Sequence, residues 1–268
     1  MAWTEDGLYG SEAQRKLQAR SLAAADTVAE TPGAVFAARL AGTDDPDRLG
    51  WHRISAILRD EGAMTFRMIA LKDCSEIERR LADIGCTITW WDVFDGSRDD
   101  IRAACNDILR LPRDDLALAG RSASADGDFL GSVQAFMAKS GVAPFPAQVL
   151  SGSAGPSTLA VLLDPEDCSV AATAFSYFPY NRFSAHRASA WAGLVAVRED
   201  LRNRGVGVWA NALALKGAVD DLGAHTVQEF ARTSNVPSCR MIERCGLRLR
   251  PDVRSGIAQP DGAQSFTR

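Results

Sequence analysis

The 268-residue chain reads as a mixed α/β protein, and three features predict it. Strand-like runs rich in β-branched and aromatic residues alternate with amphipathic helical stripes along its length. Two such runs, Thr158 to Leu163 and Cys168 to Phe178, flank the turn residues Asp164-Pro165-Glu166-Asp167 and predict an antiparallel hairpin. A third run, Trp191 to Val197, leads through a charged turn into two glycines and a helical stripe.

Bulk composition fits that class. Hydrophobic residues make up 46% and charged residues 24%, enough to build a core and a solvated surface. A net charge of −4 argues against a general nucleic-acid binder. No apolar run reaches the length of a membrane span, so no membrane partner is expected. The first ten residues are acidic and polar and do not read as an export signal. A cytoplasmic location with six free thiols is therefore expected, because the cysteines are scattered and form no paired motif. The three histidines, His52, His186 and His225, lie far from any cysteine pair, so no metal site is expected.

In order along the chain, Ser11 to Glu30 has a helical pattern stopped by Pro32-Gly33. Asp47 to Arg59 is a second helix, with Leu49, Ile54, Ile57 and Leu58 available for burial. Met64 to Leu71 reads as a strand, Lys72 to Ile84 as a helix closed by Gly85, and Cys86 to Phe94 as a strand. Asp99 to Leu109 is helical. The polar, small-residue stretch 113–127 reads as a linker, which divides the chain at 118/119 into an N-terminal α/β region of unassigned fold and a C-terminal domain. Asp128 to Lys139 is helical, and a Pro- and Gly-containing stretch leads to the hairpin. Residues 178–187 read as a surface loop. The helix opening at Gly205 carries the stripe Val208, Ala212, Leu215, Val219 and Leu222, with Gly223 as its stop. Thr226 to Arg232 is a strand, Asn235 to Cys245 a helix, and Leu247 to Val253 a last strand.

The chemistry concentrates at residues 195–207. The first amides of a helix have no internal partners and point outward, and the helix dipole favours an anion there. Glycine lets a ligand approach the backbone closely. Arg202 and Arg204 add positive charge. Residues 203–208 thus make a site for a pyrophosphate or similar anion. The same text also fits a helix that merely starts at glycines with arginines in solvent. Gly205-x-Gly207-x-x-Ala210, with Glu229 downstream, also fits a dinucleotide fingerprint. Against that stand the charged run between Val197 and Gly205 and the short stretch left after Glu229 for further βα units.

Arg202-Asn203-Arg204-Gly205-Val206-Gly207 resembles the R/Q-x-x-G-x-G/A motif of the GNAT acetyltransferase superfamily, and Leu194 to Val197 looks like the strand that precedes it. Asn235 through Leu247 is similar to a second element of the family, N-x-x-A/S-x-x-x-Y-x-K/R-x-G-F. The resemblance covers about residues 125–255; residues 1–118 could be a degenerate second copy of the same fold, since strand 64–71 followed by helix 72–84 resembles how such domains begin, or equally a dimerisation or substrate-covering module. It implies a GNAT-like acyl-CoA-binding fold with a mixed sheet that splays between strands 191–197 and 226–232. Acyl-CoA, usually acetyl-CoA, would lie in the splay as co-substrate. Arg202, Asn203, Arg204, Gly205, Val206, Gly207 and Val208 would hold its pyrophosphate. Val195 and Val197 would pair through the main chain with the pantetheine arm, and Asn235 and Ser238 would approach from the other side. The sequence departs from the family at Glu199, Asn203 and Leu247. It also departs at Ile242, where many members keep a tyrosine thought to protonate the leaving thiolate.

Acyl transfer needs a neutral amine, and a lysine-like amine at pH 7 lies about 4.6 kcal/mol from that state. A positioned base helps meet this cost. Glu229, the only carboxylate on strand 226–232, is the candidate catalytic residue, although a solvent-facing role fits it too. Alternation puts Val227, Glu229 and Ala231 on one face and Gln228 and Phe230 on the other. Tyr180, Asn181, Arg182 and His186 lie where an acceptor could be met. The expected function is N-acetyl transfer to a small-molecule or protein amine. The alternatives are a GNAT-like module that binds acyl-CoA without turnover and an NAD(P)-dependent oxidoreductase. A homodimer is an open expectation.

Overall fold

Cap chemistry sets where the elements begin and end in the computed structural model, which describes residues 6–120 and 126–263. Ser11 and Gln14 form a reciprocal capping box that opens α1 (Glu12–Ala23). The helix expected over 11–30 breaks at Ala24, and the short α2 (Ala25–Ala29) follows. The helix expected over 47–59 is likewise two: α3 (Pro46–Leu49), capped by Asp45, and α4 (Trp51–Glu61). Gly50, at φ 93°, makes the break. β1 (Ala34–Phe36) and β2 (Ala41–Thr43) are short strands without alternation long enough to read. β3 (Met64–Ala70), α5 (Cys74–Ala82), β4 (Cys86–Ser97) and α6 (Arg98–Leu109) follow near the expected positions.

Part of the 113–127 stretch belongs to the sheet. β5 (Ala117–Leu118) pairs with β6 (Ser157–Leu163), and residues 121–125 lie outside the described residues. α7 (Gly127–Lys139) and α8 (Ala147–Leu150) pack on one face of the hairpin made by β6 and β7 (Val170–Tyr177). β8 (Ser189–Val197) leads to α9 (Val206–Lys216), which turns into a π-helical stretch at Gly217–Asp221 instead of continuing to Leu222 as an α-helix. The Thr158 and Ser176 hydroxyls both donate to Ala214 O at that junction. β9 (Thr226–Ala231) and α10 (Val236–Arg244) complete the glycine-bearing half.

The last strand departs most from expectation. β10 runs over Arg248–Pro260, well past Val253, and inserts between β3 and β4. One ten-stranded mixed sheet results, in the order β1-β2-β3-β10-β4-β9-β8-β7-β6-β5. Both halves contain a parallel pair joined by a helix, then a second helix and an antiparallel strand: β2-α4-β3-α5-β4 and β8-α9-β9-α10-β10. Each half's last strand lies against the parallel pair of the other, β10 on β3 and β4 on β9. The sheet is therefore continuous across 118/119. The core is shared as well: Phe94, Ile101 and Cys105 pack with Ala212, Leu215, Val227 and Ile242. Among the described residues, no helix is long and apolar enough to cross a membrane.

Candidate active site

β8 and β9 run parallel but pair only from Ser189↔Thr226 to Trp191↔Gln228. Beyond Trp191 the two strands separate, and the β8 edge facing β9 has no strand partner. The other edge of β8 carries a bulge against β7, where Thr173 faces Ala196 but Phe175 faces Gly193. Leu194 sits in it at φ 52°, and the Thr173 hydroxyl holds the Leu194 carbonyl at 3.0 Å. A bulge shifts the alternation by one. Trp191 packs toward α7 and α8, and so do Leu194 and Ala196, whereas Val195 and Val197 turn to α9. Strict alternation from Trp191 would have put Val195 on the α7 side.

The turn after β8 opens α9 with the glycine-bearing conformation that the sequence predicts. Asn203 and Gly205 are both left-handed, at φ 62° and 76°, which folds residues 202–205 back onto the start of α9. Gly205 is the N-cap and offers no side chain, so the first amides of α9 remain outward. Arg202, Asn203, Arg204 and Gly205 are exposed. Among the described residues neither Arg202 nor Arg204 forms a salt bridge, whereas Arg198 is held by Asp164 and Asp200. A Cβ at Gly207 would point between Val197 (3.3 Å), Met241 (3.6 Å) and Val195 (3.8 Å). Gly207 therefore lines the gap between β8 and α10, while Val206 is buried and Val208 half-buried. Sequence reasoning missed Arg113: its Nη1 donates to Arg204 O at 2.8 Å, and Asp115 fixes its other nitrogens. Its place in the supposed linker hid it.

Across the gap, Asn235 caps α10 by accepting from Ser238 N at 3.4 Å, with Pro237 in the first turn. Asn235 is exposed and Ser238 half-buried. Ile242 is 2% exposed and belongs to the core shared with α6 and α9.

Glu229 is 3% exposed. The expected alternation holds: Val227 and Ala231 share the α9/α10 face with it, while Phe230 packs on the other face. Its solvent-facing alternative is overturned by the helices that cover it. Asn211, buried on α9, donates to Glu229 Oε1 at 2.8 Å. Burial pushes the carboxyl up from 4.5 to about 7, against the opposing pull of the Asn211 bond. Asn211 was legible only as a polar residue amid the apolar text of α9.

The expected surface loop at 178–187 is a structural clasp. Asn181 Nδ2 donates to the carbonyls of Val28, Thr31 and Ala34, and Arg182 pairs with Glu30. Tyr180 is buried and donates to Gln228 Oε1 at 2.5 Å. His186 lies against the Tyr180 ring, and burial lowers its basicity while Asp44 opposes the shift. The dinucleotide reading fails on topology. The parallel pair β8/β9 has antiparallel neighbours on both sides, β7 and β4, where a doubly wound fold needs further parallel strands.

No protein-family model matches the chain, and no curated protein matches its sequence. Among solved structures it is similar to a GCN5-related N-acetyltransferase from Kribbella flavida, with 13% identity over 92% of this chain and 96% of that one and a TM-score of 0.57. It is also similar to a tandem GNAT protein from the clavulanic acid biosynthesis pathway, with 13% identity over 84% of this chain and 76% of that one and a TM-score of 0.51. The splayed parallel pair, the bulged strand and the glycine turn that opens the following helix thus sit in a chain whose fold is that of the GNAT acetyltransferases.

Proposed function

We propose that this chain transfers an acyl group from acyl-CoA to a primary amine by direct attack in a ternary complex. The observation that carries the reading is the opening of β8 from β9 beside a glycine-bearing helix start without a side-chain cap, next to two arginines that form no salt bridge among the described residues. Acyl-CoA supplies a thioester already activated toward amines. The amides at 203–208 and the guanidiniums of Arg202 and Arg204 hold its pyrophosphate. The free β8 edge at Val195 and Val197 takes the pantetheine arm as an added strand. Asn235 and Ser238 flank it.

The backbone around Val195, turned by the bulge, offers an N–H to the developing oxyanion. Glu229, buried under α9 and α10, takes the proton that the amine must lose through one water in the gap between β8 and β9, as the C–N bond forms and the C–S bond breaks. A carboxylate held near 7 is suited to accepting a proton at neutral pH. The thiolate leaves without a protein acid and is protonated by water. The buried Ile242 favours one second reading, a module that binds acyl-CoA without turnover.

A thermal-shift and calorimetric screen with acetyl-CoA, longer acyl-CoAs and NAD(P)H tests the reading, followed by thiol release across an amine panel. Binding of acyl-CoA with thiol release supports it. Acyl-CoA binding without turnover supports the second reading, and binding of NAD(P)H alone refutes both.

A further inference from the structure

The face of the sheet opposite Glu229 holds an unneutralised pair of arginines. Arg67, on β3, is 5% exposed. Its guanidinium lies 5.5 Å from the ring centroids of both Trp191 and Phe230, the residues at the point where β8 and β9 part. Its Nη2 donates to the Tyr177 hydroxyl at 3.3 Å. Arg67 Nε, Arg67 Nη1 and Trp191 Nε1 are buried donors with no acceptor. Arg39 stacks on Phe145 at 5.4 Å, and burial, with Arg67 as a further cause, lowers its pKa to about 10. Among the described residues neither guanidinium has a carboxylate partner. Arg39 also borders a cavity of about 100 Å³ beneath α1, lined by Tyr9, Leu17, Val142 and Pro144.

A buried guanidinium without an anion is costly. Stacking on aromatic rings returns only part of that cost. Three orphaned N–H donors and a second positive charge, with aromatic walls, suit one flat anion bearing a single charge. A phosphate dianion would leave too many oxygen lone pairs unmet by these donors. We propose that the acceptor amine carries a carboxylate, as an amino acid does, and that Arg67 binds it, with Trp191 as a second donor and Arg39 supplying the field. This rests on the acyltransfer reading, because Arg67 stands beside Trp191 and Phe230 at the apex of the splay, where the amine would meet the thioester and its proton would pass through the gap to Glu229 on the other face.

The test uses the full chain and matched pairs: L-alanine against ethylamine, and L-phenylalanine against phenethylamine. Binding is read by tryptophan fluorescence and thermal shift, with inorganic phosphate as a third probe. The amino acids are expected to bind and the amines and phosphate to bind at least tenfold more weakly. Arg67→Met should weaken amino-acid binding about thirtyfold or more, while raising the melting temperature of the unliganded protein. Should Arg67→Met not fold, Arg67→Lys, which keeps the charge and loses the planar fork, should still weaken binding. Equal binding of both members of each pair, tighter binding of phosphate, or wild-type affinity in the Arg67 variants would overturn the proposal. An Arg67-dependent preference for succinyl-CoA over acetyl-CoA would also overturn it, by placing the carboxylate on the acyl group. Acetyl-CoA binding is measured on the same samples. Turnover of amines only sinks the carboxylate site and spares the transferase. Arg67-dependent amino-acid binding without any CoA binding does the reverse.

Discussion

Glu229→Gln separates the chemistry of this carboxyl from its structural cost. The side chain is 3% exposed and receives one hydrogen bond, from Asn211, with no cation beside it. Its pKa stands at about 7 in the folded chain against 4.5 ordinarily. Between those values the folded state binds a proton that the unfolded state releases. The contribution of Glu229 to stability is therefore greatest below pH 4.5 and is lost as pH rises through 7. The full difference is about 3 kcal/mol, at 1.36 kcal/mol for each tenfold change in proton affinity. Gln keeps the shape, still accepts from Asn211 and cannot ionise. At pH 8.5 the variant should be more stable than wild type by up to about 3 kcal/mol, a melting difference of roughly 6 °C at about 2 °C per kcal/mol. At pH 4 the two should melt alike. If Glu229 is the base, thiol release from acetyl-CoA should fall about a hundredfold near neutrality, and the deficit should shrink at high pH, where amines deprotonate unaided. Scanning calorimetry from pH 4 to 9 and a thiol-release assay over pH 6 to 9 read the two effects. Parallel stability profiles would refute the burial argument. Equal activity throughout would remove Glu229 from the mechanism and leave a water relay.

Gly207→Glu should abolish acyl-CoA binding with the fold retained, because its side chain would enter the gap between Val197 and Met241; unchanged affinity by calorimetry would show the anion site to be misplaced. Ile242→Tyr should destabilise the chain by about 1–3 kcal/mol through overpacking, without a gain in turnover; a faster, equally stable variant would mean that the missing acid limits the reaction. A fragment 119–268 should not melt cooperatively, because it loses β4, the partner of β9, along with Phe94, Ile101 and Cys105 from the shared core. A soluble fragment with a sharp transition would show the halves to be independent.

Local chemistry accounts for what the sequence by itself determined. Periodicity, turn residues and glycine stops located β3, β4, the hairpin, β8, α9, β9 and α10, because those signals act within a few residues of the positions they specify. The glycine turn that opens α9 was legible for the same reason: residues 202–208 are contiguous, and their conformation follows from glycine and a helix start. The face of Glu229 was also readable, since β9 is regular and alternates. Contacts distant in sequence were not readable. Nothing local says that β10 pairs with β3 or that Arg113 braces Arg204. Those pairings are won by burial of the shared core and by satisfying sheet edges, terms that exist only once both halves are folded. The bulge at Leu194 defeated alternation because its register is set by β7, not by the strand's own residues. The Arg67 cluster was invisible for a related reason: β3, β7, β8 and β9 each bring one member, and a buried charge without a counter-charge is recognisable only when every neighbour is known.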